Sequence, residues 1–293
     1  MTAKKRPAAA PTLGTTLRRS ATLLAAIDPA DVDRAIILGQ LAELLMAHPR
    51  IGSSVAYKGG AIMNLVDGSP RLSRDLDGAA VSGRPVRRGW VDEAFSTPAA
   101  RKVVRSLPRI VNENPSSLVI PMLECQGLEH RGMVVVSLSI NWKDPLLEPP
   151  VLATVELKTR RAQIPVLSAC ERAAEKARTF LTRGEPRDAY DLHRFGAYVL
   201  TKGEWQRLPK LIQRKLPGHV EADWDLLVRW DEQTSLVSGP YERGEGLVLL
   251  ESKPAWTEVH RELRRFKGCV PRRLPIVSPS KTARREVARG RRG

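Results

Sequence analysis

Residues 134–141 alternate strictly between two sets of side chains, and this pattern constrains the fold more than any other stretch. The first set, Val134, Val136, Leu138 and Ile140, is apolar, whereas the second is Val135, Ser137, Ser139 and Asn141. A period of two is typical of a β-strand that buries one face in a core. We therefore predict a strand at Met133–Asn141, and further strands at Leu118–Glu124 and Leu152–Leu157.

The first part of the chain mixes helical and strand patterns. Apolar residues recur at helical spacing from Pro29 to His48, with Asp31 available near the start as a cap. A short β-leaning piece, Ile51–Tyr57, then leads into glycines and a short helix at Ala61–Leu65. A second short strand is expected near Leu76.

After about residue 163 the pattern becomes helical. Ser168 and Glu171 have the spacing of a capping box, Gly184 is placed to end that helix, and Pro186 suits the first turn of the next. We predict the fold class α/β (mixed), with an α/β core followed by a helical C-terminal domain. The expected divisions are a basic tail at 1–20, the α/β core at 21–162, the helical domain at 163–270 and a basic tail at 271–293.

The formal net charge is +16, which favours phosphate-rich partners. Much of it lies at the two ends. Residues 1–19 carry five cations and no acid, and residues 271–293 carry eight cations and one acid, which leaves about +4 for the rest. The body charge therefore supports a nucleic-acid partner only modestly.

The cysteine pattern and the hydropathy indicate a compartment. Cys125, Cys170 and Cys269 are far apart and have neither metal-site nor disulfide spacing, which fits a reducing cytoplasm. No apolar run has the roughly 18 residues needed to span a bilayer. We expect a soluble cytoplasmic protein with no membrane partner.

One motif combines glycines with paired carboxylates. Lys58-Gly59-Gly60 is followed after fourteen residues by Asp75 and Asp77. Carboxylates at i and i+2 of a strand share a face, where they repel unless a cation such as Mg²⁺ lies between them. Two metal ions can activate a hydroxyl and stabilise leaving pyrophosphate, and glycines let the backbone approach a triphosphate. Taken alone, each piece is a weak signal. Two aspartates at i and i+2 are common by chance, and paired glycines are usually turns.

A second motif lies on two consecutive helices. Lys176 and Arg183 share one helical face, and Asp188 and Asp191 are neighbours at i, i+3 on the next helix. These residues predict either a salt-bridged helical hairpin or cations that contact triphosphate oxygens and are fixed by aspartates.

In their order and spacing these motifs resemble the AbiEii-type nucleotidyltransferase toxins, including the mycobacterial MenT group. The resemblance rests on Lys58–Ala61, Arg71–Asp77, Glu175–Lys176 with Arg183, and Arg187–Leu192, and it extends over about 55–195. It implies a DNA polymerase β-like fold, metal-dependent transfer of a nucleotide from a nucleoside triphosphate to the 3′ end of tRNA, and a consequent block of translation. It also implies a cognate antitoxin as partner.

The family roles can be carried onto this sequence position by position. The resemblance assigns the two Mg²⁺ ions to Asp75 and Asp77, the triphosphate to Lys58, Gly59 and Gly60, a nucleotide-phosphate contact to Lys176, and a second-motif carboxylate to Asp191. We count Arg183 and Asp188 with the nucleotide-binding set. Ser73, also in that set, matches a serine that a kinase-like antitoxin phosphorylates in some relatives; an ordinary turn hydroxyl is the alternative.

One departure leaves other functions open. Many polymerase β-like enzymes place a third carboxylate on a neighbouring strand, but Met133–Asn141 contains no acid, so Glu156 or Asp191 is the candidate substitute. The alternatives are a protein nucleotidyltransferase of the same fold and a non-catalytic protein that binds RNA or an antitoxin.

Overall fold

The computed structural model describes residues 28–127, 132–144, 146–156 and 161–274. The expected basic tail at 1–20 lies outside the described residues, as does the tail at 271–293 beyond residue 274.

A mixed sheet of seven strands organises the first part of the chain, in the order β3-β4-β5-β2-β1-β7-β6. The strands are β1 Val55–Lys58, β2 Asp75–Ala80, β3 Asn112–Asn114, β4 Ser117–Gln126, β5 Met133–Asn141, β6 Val151–Glu156 and β7 Arg161–Val166. The central strand β2 runs antiparallel to β1 and parallel to β5. β2 therefore has a neighbour on each side along its length.

Helices cover the sheet and connect its strands. In this part they are α1 Pro29–Ala47, α2 Pro49–Gly52, α3 Gly59–Leu65 and α4 Arg88–Phe95. α1 contacts β5 and β7, and its buried residues join one apolar core with Leu76 and Leu138. Burial of these side chains supplies the driving force that holds α1 on this face.

The start of α1 differs from the prediction. Asp28, not Asp31, is the N-cap, and its carboxylate accepts a hydrogen bond from the amide of Ala30 (2.9 Å). Asp31 lies in the first turn and pairs with Arg34 and Arg74. For Asp31 to be the N-cap the helix would have to begin at Val32, but it begins three residues earlier, at Pro29, so the prediction of Asp31 was wrong.

The second part of the described chain is helical. Its helices are α5 Ala169–Thr182, α6 Pro186–Arg194, α7 Lys202–Lys215, α8 Leu226–Arg243 and α9 Trp256–Lys267, with a π-helical turn at Phe195–Val199. They enclose a second apolar core that includes Phe180, Trp230, Tyr241 and Phe266. Ser168 caps α5 as predicted, but Glu171 does not complete the box, because its carboxylate accepts the amides of Leu147 and Glu148.

The predicted fold class, mixed α/β followed by helices, is confirmed. The last strand of the sheet, β7, ends at Val166, four residues beyond the division expected at 162, and the division itself stays a prediction. No helix in the described ranges is long and apolar enough to cross a bilayer.

The two faces of the sheet at β2 and β5 predict different effects of mutation on stability. Leu76 is completely buried in the core, so Leu76→Ala should lower the free energy of unfolding by about 2–5 kcal/mol. Ser139, on the opposite face of neighbouring β5, is the matched control, and Ser139→Ala should change it by less than about 0.5 kcal/mol. Chemical denaturation measures both; equal losses would contradict the assignment of faces.

Candidate active site

Asp75 and Asp77 lie on one face of β2. Along this strand Leu76 is buried in the core, whereas Asp75 and Asp77 on either side of it are half-buried on the opposite face. This is the geometry expected for residues at i and i+2 of a strand. The sequence prediction of two carboxylates on a common face therefore agrees with the arrangement of the strand.

The neighbouring strand β5 supplies hydroxyl groups to this face. Asp75 is in register with Ser137, and Asp77 with Ser139. The hydroxyl of Ser137 donates a hydrogen bond to Oδ1 of Asp75 (2.7 Å). β5 thus has a serine beside each aspartate. These are the positions on the neighbouring strand from which a third carboxylate would reach the same metal site.

Neither candidate for a third carboxylate is in place. Glu156 lies on β6, the edge strand, which is three strands away from β2 in the sheet order. Asp191 is fully buried, and its two oxygens accept hydrogen bonds from Arg71 at 2.8 and 2.9 Å. Topology therefore separates Glu156 from the aspartate pair, and ion pairing occupies Asp191, so a third carboxylate stays a prediction.

Asp77 faces a cavity. Burial raises the pKa of Asp77 and the charge of Asp75 raises it further, whereas Lys58, Lys176 and Arg183 lower it. No hydrogen bond or ion pair to the Asp77 carboxylate occurs within the described part of the chain. A half-buried carboxylate without a direct partner is stabilised by a cation, so the site favours binding of one.

The cavity beside Asp77 has a volume of about 290 Å³ and is rich in charged groups. One side is formed by α5, where Arg172, Lys176, Thr179 and the C-cap residue Arg183 follow each other at helical spacing. The remaining lining includes Lys58, Gly59, Met63, Asp77, Gly78, Ser139, Asn141, Asp144, Glu175, Arg178, Phe195 and His219. An excess of cations in a cavity of this kind suits a polyanionic ligand.

Two buried aspartates of α6 hold the cations of α5. Lys176 Nζ lies 2.8 Å from Asp191 and 3.4 Å from Asp188, and Arg183 binds Asp188 through two hydrogen bonds of 2.8 and 2.9 Å. Arg71 provides the other pairs to Asp191. The hairpin is thus salt-bridged, which was one of the two predicted arrangements. Lys176 and Arg183 also line the cavity, which is a position from which they could contact a triphosphate, as in the other arrangement.

A second network of ion pairs, centred on Glu175, holds Lys58 in place. Its ammonium group lies 3.1 Å from Glu175, which also pairs with Arg178 and Lys215. Burial by itself would raise the pKa of Glu175, but Lys58, Lys215 and Arg178 hold it well below the usual range. Glu175 is therefore a fixed anion that orients Lys58 at the cavity.

The glycines of the motif make room for protein side chains. Gly59 has φ +80°, and a Cβ there would lie 2.4 Å from Oδ2 of Asp77. A Cβ on Gly60 would lie 2.2 Å from Nη2 of Arg71. Gly59 lines the cavity, whereas Gly60 is buried away from it. The structure thus gives Gly60 a packing role against Arg71, which the sequence did not suggest.

Ser73 lies just before the aspartates and is half-buried. Its hydroxyl is 3.5 Å from the amide nitrogen of Asp75 and 3.4 Å from the carbonyl oxygen of the same residue. This local pattern is that of a turn hydroxyl at the start of β2. Ser73 does not line the cavity, whereas Lys58, Gly59 and Arg183 of the predicted nucleotide-binding set do.

The donors present fit magnesium that shares its coordination with a nucleotide. Across the described ranges no group of three His, Cys, Asp or Glu side chains is placed to hold a metal. Mg²⁺ typically takes one or two carboxylates from the protein and its other ligands from phosphates and water. Asp75 and Asp77 supply those two carboxylates next to a cavity suited to phosphate.

The sequence patterns assigned no role to three contributors, Arg71, His219 and Ser137. Arg71 is 120 positions from its partner Asp191, so no local pattern reports the pair. His219 lines the cavity between Arg178 and Asp144, at 3.2 and 3.1 Å. Since a guanidinium only donates, Nδ1 of His219 accepts and Nε2–H donates to Asp144. The alternation in β5 placed Ser137 on the face opposite the core but did not indicate its hydrogen bond to Asp75.

Comparisons with known proteins find a matching family model and similar solved structures. The family model described as nucleotidyl transferase AbiEii toxin, type IV TA system, matches residues 43–237, which include every predicted site residue. The solved structure of JHP933 from Helicobacter pylori is similar to the chain, with 14% identity, TM-score 0.50, and 90% and 98% of the two chains covered. A comparison with curated protein sequences finds no match.

A second solved structure is MenT4, a nucleotidyltransferase toxin from Mycobacterium tuberculosis H37Rv. It is 17% identical, with a TM-score of 0.49, and covers 95% of this chain and 97% of its own.

The Asp188 pair predicts a pH dependence of stability. Burial would raise the pKa of Asp188, but hydrogen bonds from Arg183 and the charge of Lys176 lower it to about 2. Its contribution is therefore present above the unfolded-state pKa and is lost as the pH falls through the folded-state value. We expect the difference in unfolding free energy between wild type and Asp188→Asn, roughly 2 kcal/mol at neutral pH, to shrink between about pH 5 and pH 2.

Denaturation at a series of pH values measures that difference. Arg183→Gln serves as the control, because removing the main hydrogen-bond donor should remove most of the pH dependence. A difference that stays constant across this range would contradict the ion-pair assignment.

Proposed function

The chain belongs to the AbiEii family of nucleotidyltransferase toxins of type IV toxin–antitoxin systems, and from this we propose that it transfers a nucleoside monophosphate from a nucleoside triphosphate to the 3′ end of tRNA. In this reaction an acceptor hydroxyl oxygen bonds to the α-phosphorus. The bond between the α-phosphorus and pyrophosphate breaks, and pyrophosphate and the hydroxyl proton are released.

The observation that carries the proposal is the position of the aspartate pair. Asp77 lines a cavity that Lys176 and Arg183 of α5 also line, and Asp75 lies beside it on the same strand. Carboxylates and cations around one cavity match the two needs of a metal–triphosphate complex. This juxtaposition supports nucleotidyl transfer over simple anion binding.

Asp75 and Asp77 are the residues that would hold two magnesium ions. When bound, such ions polarise the phosphate and stabilise the attacking and leaving oxygens. The protein orients this pair by the hydrogen bond from Ser137 to Asp75 and by the packing of Gly59 against Asp77.

The cations bind and orient the triphosphate. Lys176 keeps donors beyond those directed at Asp191 and Asp188, since an ammonium group has three. Arg183 and Lys58 are likewise held by acids and still line the cavity. In this proposal Asp188 and Asp191 are positioning residues, which fix the cations rather than contact the nucleotide.

The acceptor is the less constrained part of the reaction. A tRNA end is supported by the net charge of +16 and by the activity that the family resemblance implies. Modification of that end would block aminoacylation and therefore translation. The family also implies a cognate antitoxin as partner, and we place the activity in the cytoplasm, where its substrates are.

The proposal is tested by label transfer. Purified full-length protein is incubated with Mg²⁺, total tRNA and each of the four labelled nucleoside triphosphates, beside Asp75→Ala and Asp77→Ala variants. We expect label on tRNA with wild type and at least a 100-fold lower rate with either variant, because each removes charge stabilisation made in the transition state.

Label on tRNA that survives Asp77→Ala would overturn the assigned site. A parallel reaction with total protein distinguishes the other enzyme of this fold, since label would then appear on protein. No label on either acceptor, together with no Mg²⁺-dependent nucleotide binding that needs Asp75, would indicate the non-catalytic alternative.

Ser73 gives a second test, as a site of regulation by phosphorylation. A phosphate there would add negative charge two residues from Asp75 and oppose the triphosphate. We expect Ser73→Glu to lose most transfer activity and Ser73→Ala to retain it, in the same labelling assay. Similar activity of the two variants would argue against regulation through charge at this position.

A further inference from the structure

The face of the sheet that carries Asp75 continues across β5 and β4. The core-facing residues of these strands, including Leu138, are completely buried, whereas Ser137, Ser139 and Val119 on the other face are half-buried. Met122 and Met133 are exposed, at 54% and 47%. The aspartate pair therefore borders an accessible surface of strands as well as the cavity under α5.

A β-bulge shapes this surface beside Asp75. The register of β4 against β5 shifts between Ile120 and Leu123. Both of these residues are completely buried in the core, so Pro121 and Met122 between them both lie on the opposite side. This explains why an apolar side chain in the middle of a strand is more than half exposed.

The bulge, Ser137 and Asp75 form one row across three strands. Ile120 pairs with Leu138 and Leu123 with Val136, so the bulge stands opposite Ser137. Ser137 is in register with Asp75 and donates a hydrogen bond to it. Two strand spacings, about 10 Å, separate Met122 from Asp75, which is the reach of a single nucleotide.

We propose that the bulge at Pro121–Met122 binds the 3′-terminal nucleotide of the RNA acceptor, with the Met122 side chain packed against its base. The inference rests on the proposed function, because it assigns the acceptor side of the same site. It places the terminal ribose hydroxyls over Ser137 and next to Asp75.

The two sides of the aspartate pair differ in a way that assigns them to different substrates. Asp77 and Ser139 line the cation-rich cavity, which suits the triphosphate. Asp75, Ser137 and Met122 do not line it. An acceptor hydroxyl that attacks the α-phosphorus has to approach from outside the triphosphate cavity, and the surface of β5 and β4, where Ser137 lies beside Asp75, is outside that cavity.

The chemistry of Met122 suits a base of any identity. A thioether is apolar and polarisable, and sulfur packs favourably on aromatic rings. Every nucleobase has a π-face, so a contact of this kind holds a terminal base without reading its hydrogen-bonding edge. The surface should therefore accept different terminal bases with similar affinity.

A basic segment lies at the margin of this surface and indicates RNA as the occupant. Residues 101–112 contain no acid, and Arg101, Lys102, Arg105 and Arg109 are all exposed. The amide of Arg105 donates to the carbonyl of Glu124 (2.9 Å), which places this segment along the outer edge of β4. Exposed cations here can bind the phosphates that precede the terminal nucleotide.

The test is a double-mutant cycle on binding, made without nucleoside triphosphate so that no transfer occurs. Fluorescence anisotropy measures the affinity of the full chain for an RNA hairpin with a single-stranded 3′ overhang, and for the same hairpin with an abasic terminal nucleotide. We expect Met122→Ala to weaken binding of the intact hairpin about 2- to 10-fold and to leave the abasic hairpin unchanged.

Leu152→Ala is the matched control, because Leu152 is also an exposed apolar residue on a strand (72% exposed) but lies on edge strand β6. It should bind both hairpins as wild type does. Met122→Leu preserves the apolar bulk and should retain most of the affinity. If Met122→Ala weakens both hairpins equally, or neither, or if wild type binds neither, the proposal is wrong.

The labelling assay separates this inference from the proposed function. Coupling between Met122 and the terminal base, with no transfer by wild type, would support the site and reject the activity. Transfer by wild type without coupling would support the activity and reject the site. In the active case, Met122→Ala should also raise KM for the RNA and leave KM for the nucleoside triphosphate unchanged.

Discussion

The buried pair of Arg71 and Asp191 joins the two parts of the site. Asp191 on α6 is inaccessible to solvent, and Arg71 lies four residues before Asp75, so one bidentate contact fixes the approach to β2 against the helical hairpin. Lys176 shares the same carboxylate. Breaking a buried pair by removing one partner costs about 3–5 kcal/mol. The distance between the aspartates of β2 and the cations of α5 is therefore set by protein contacts, before any ligand binds.

Cations outnumber acids in the lining of the cavity, and further acids outside the lining pair with these cations. Five cations and three acids line it, and Asp188, Asp191 and Asp67 pair with some of those cations from outside the lining. Each cation is thus held in place, and its repulsion by its neighbours is reduced. A polyanion can then bind side chains that lose little conformational entropy, which is the physical meaning of preorganisation.

The sequence predicted the local features of this site and missed the distant ones. Alternation in 134–141 identified β5 and the face that carries Ser137, and the i, i+2 spacing placed Asp75 and Asp77 together. The cap of α1 was misassigned because Asp28 and Asp31 both suit a first turn. Pattern alone could not pair Arg71 with Asp191, nor show that Gly60 makes space for Arg71, because periodicity reports only neighbours along the chain. The bulge at Pro121 was likewise not predicted, because the alternation along one strand does not show where its register against the next strand shifts.

The contact between Gly59 and Asp77 restricts how this chain can vary. At position 59 the backbone has a positive φ, and the space that a Cβ would take holds the carboxylate of Asp77. In a library of random variants, position 59 should retain glycine whether or not a ligand touches it, because another side chain would be strained at this φ even without Asp77. The invariance of that glycine would then report the backbone turn and the packing of a neighbouring strand rather than contact with a substrate.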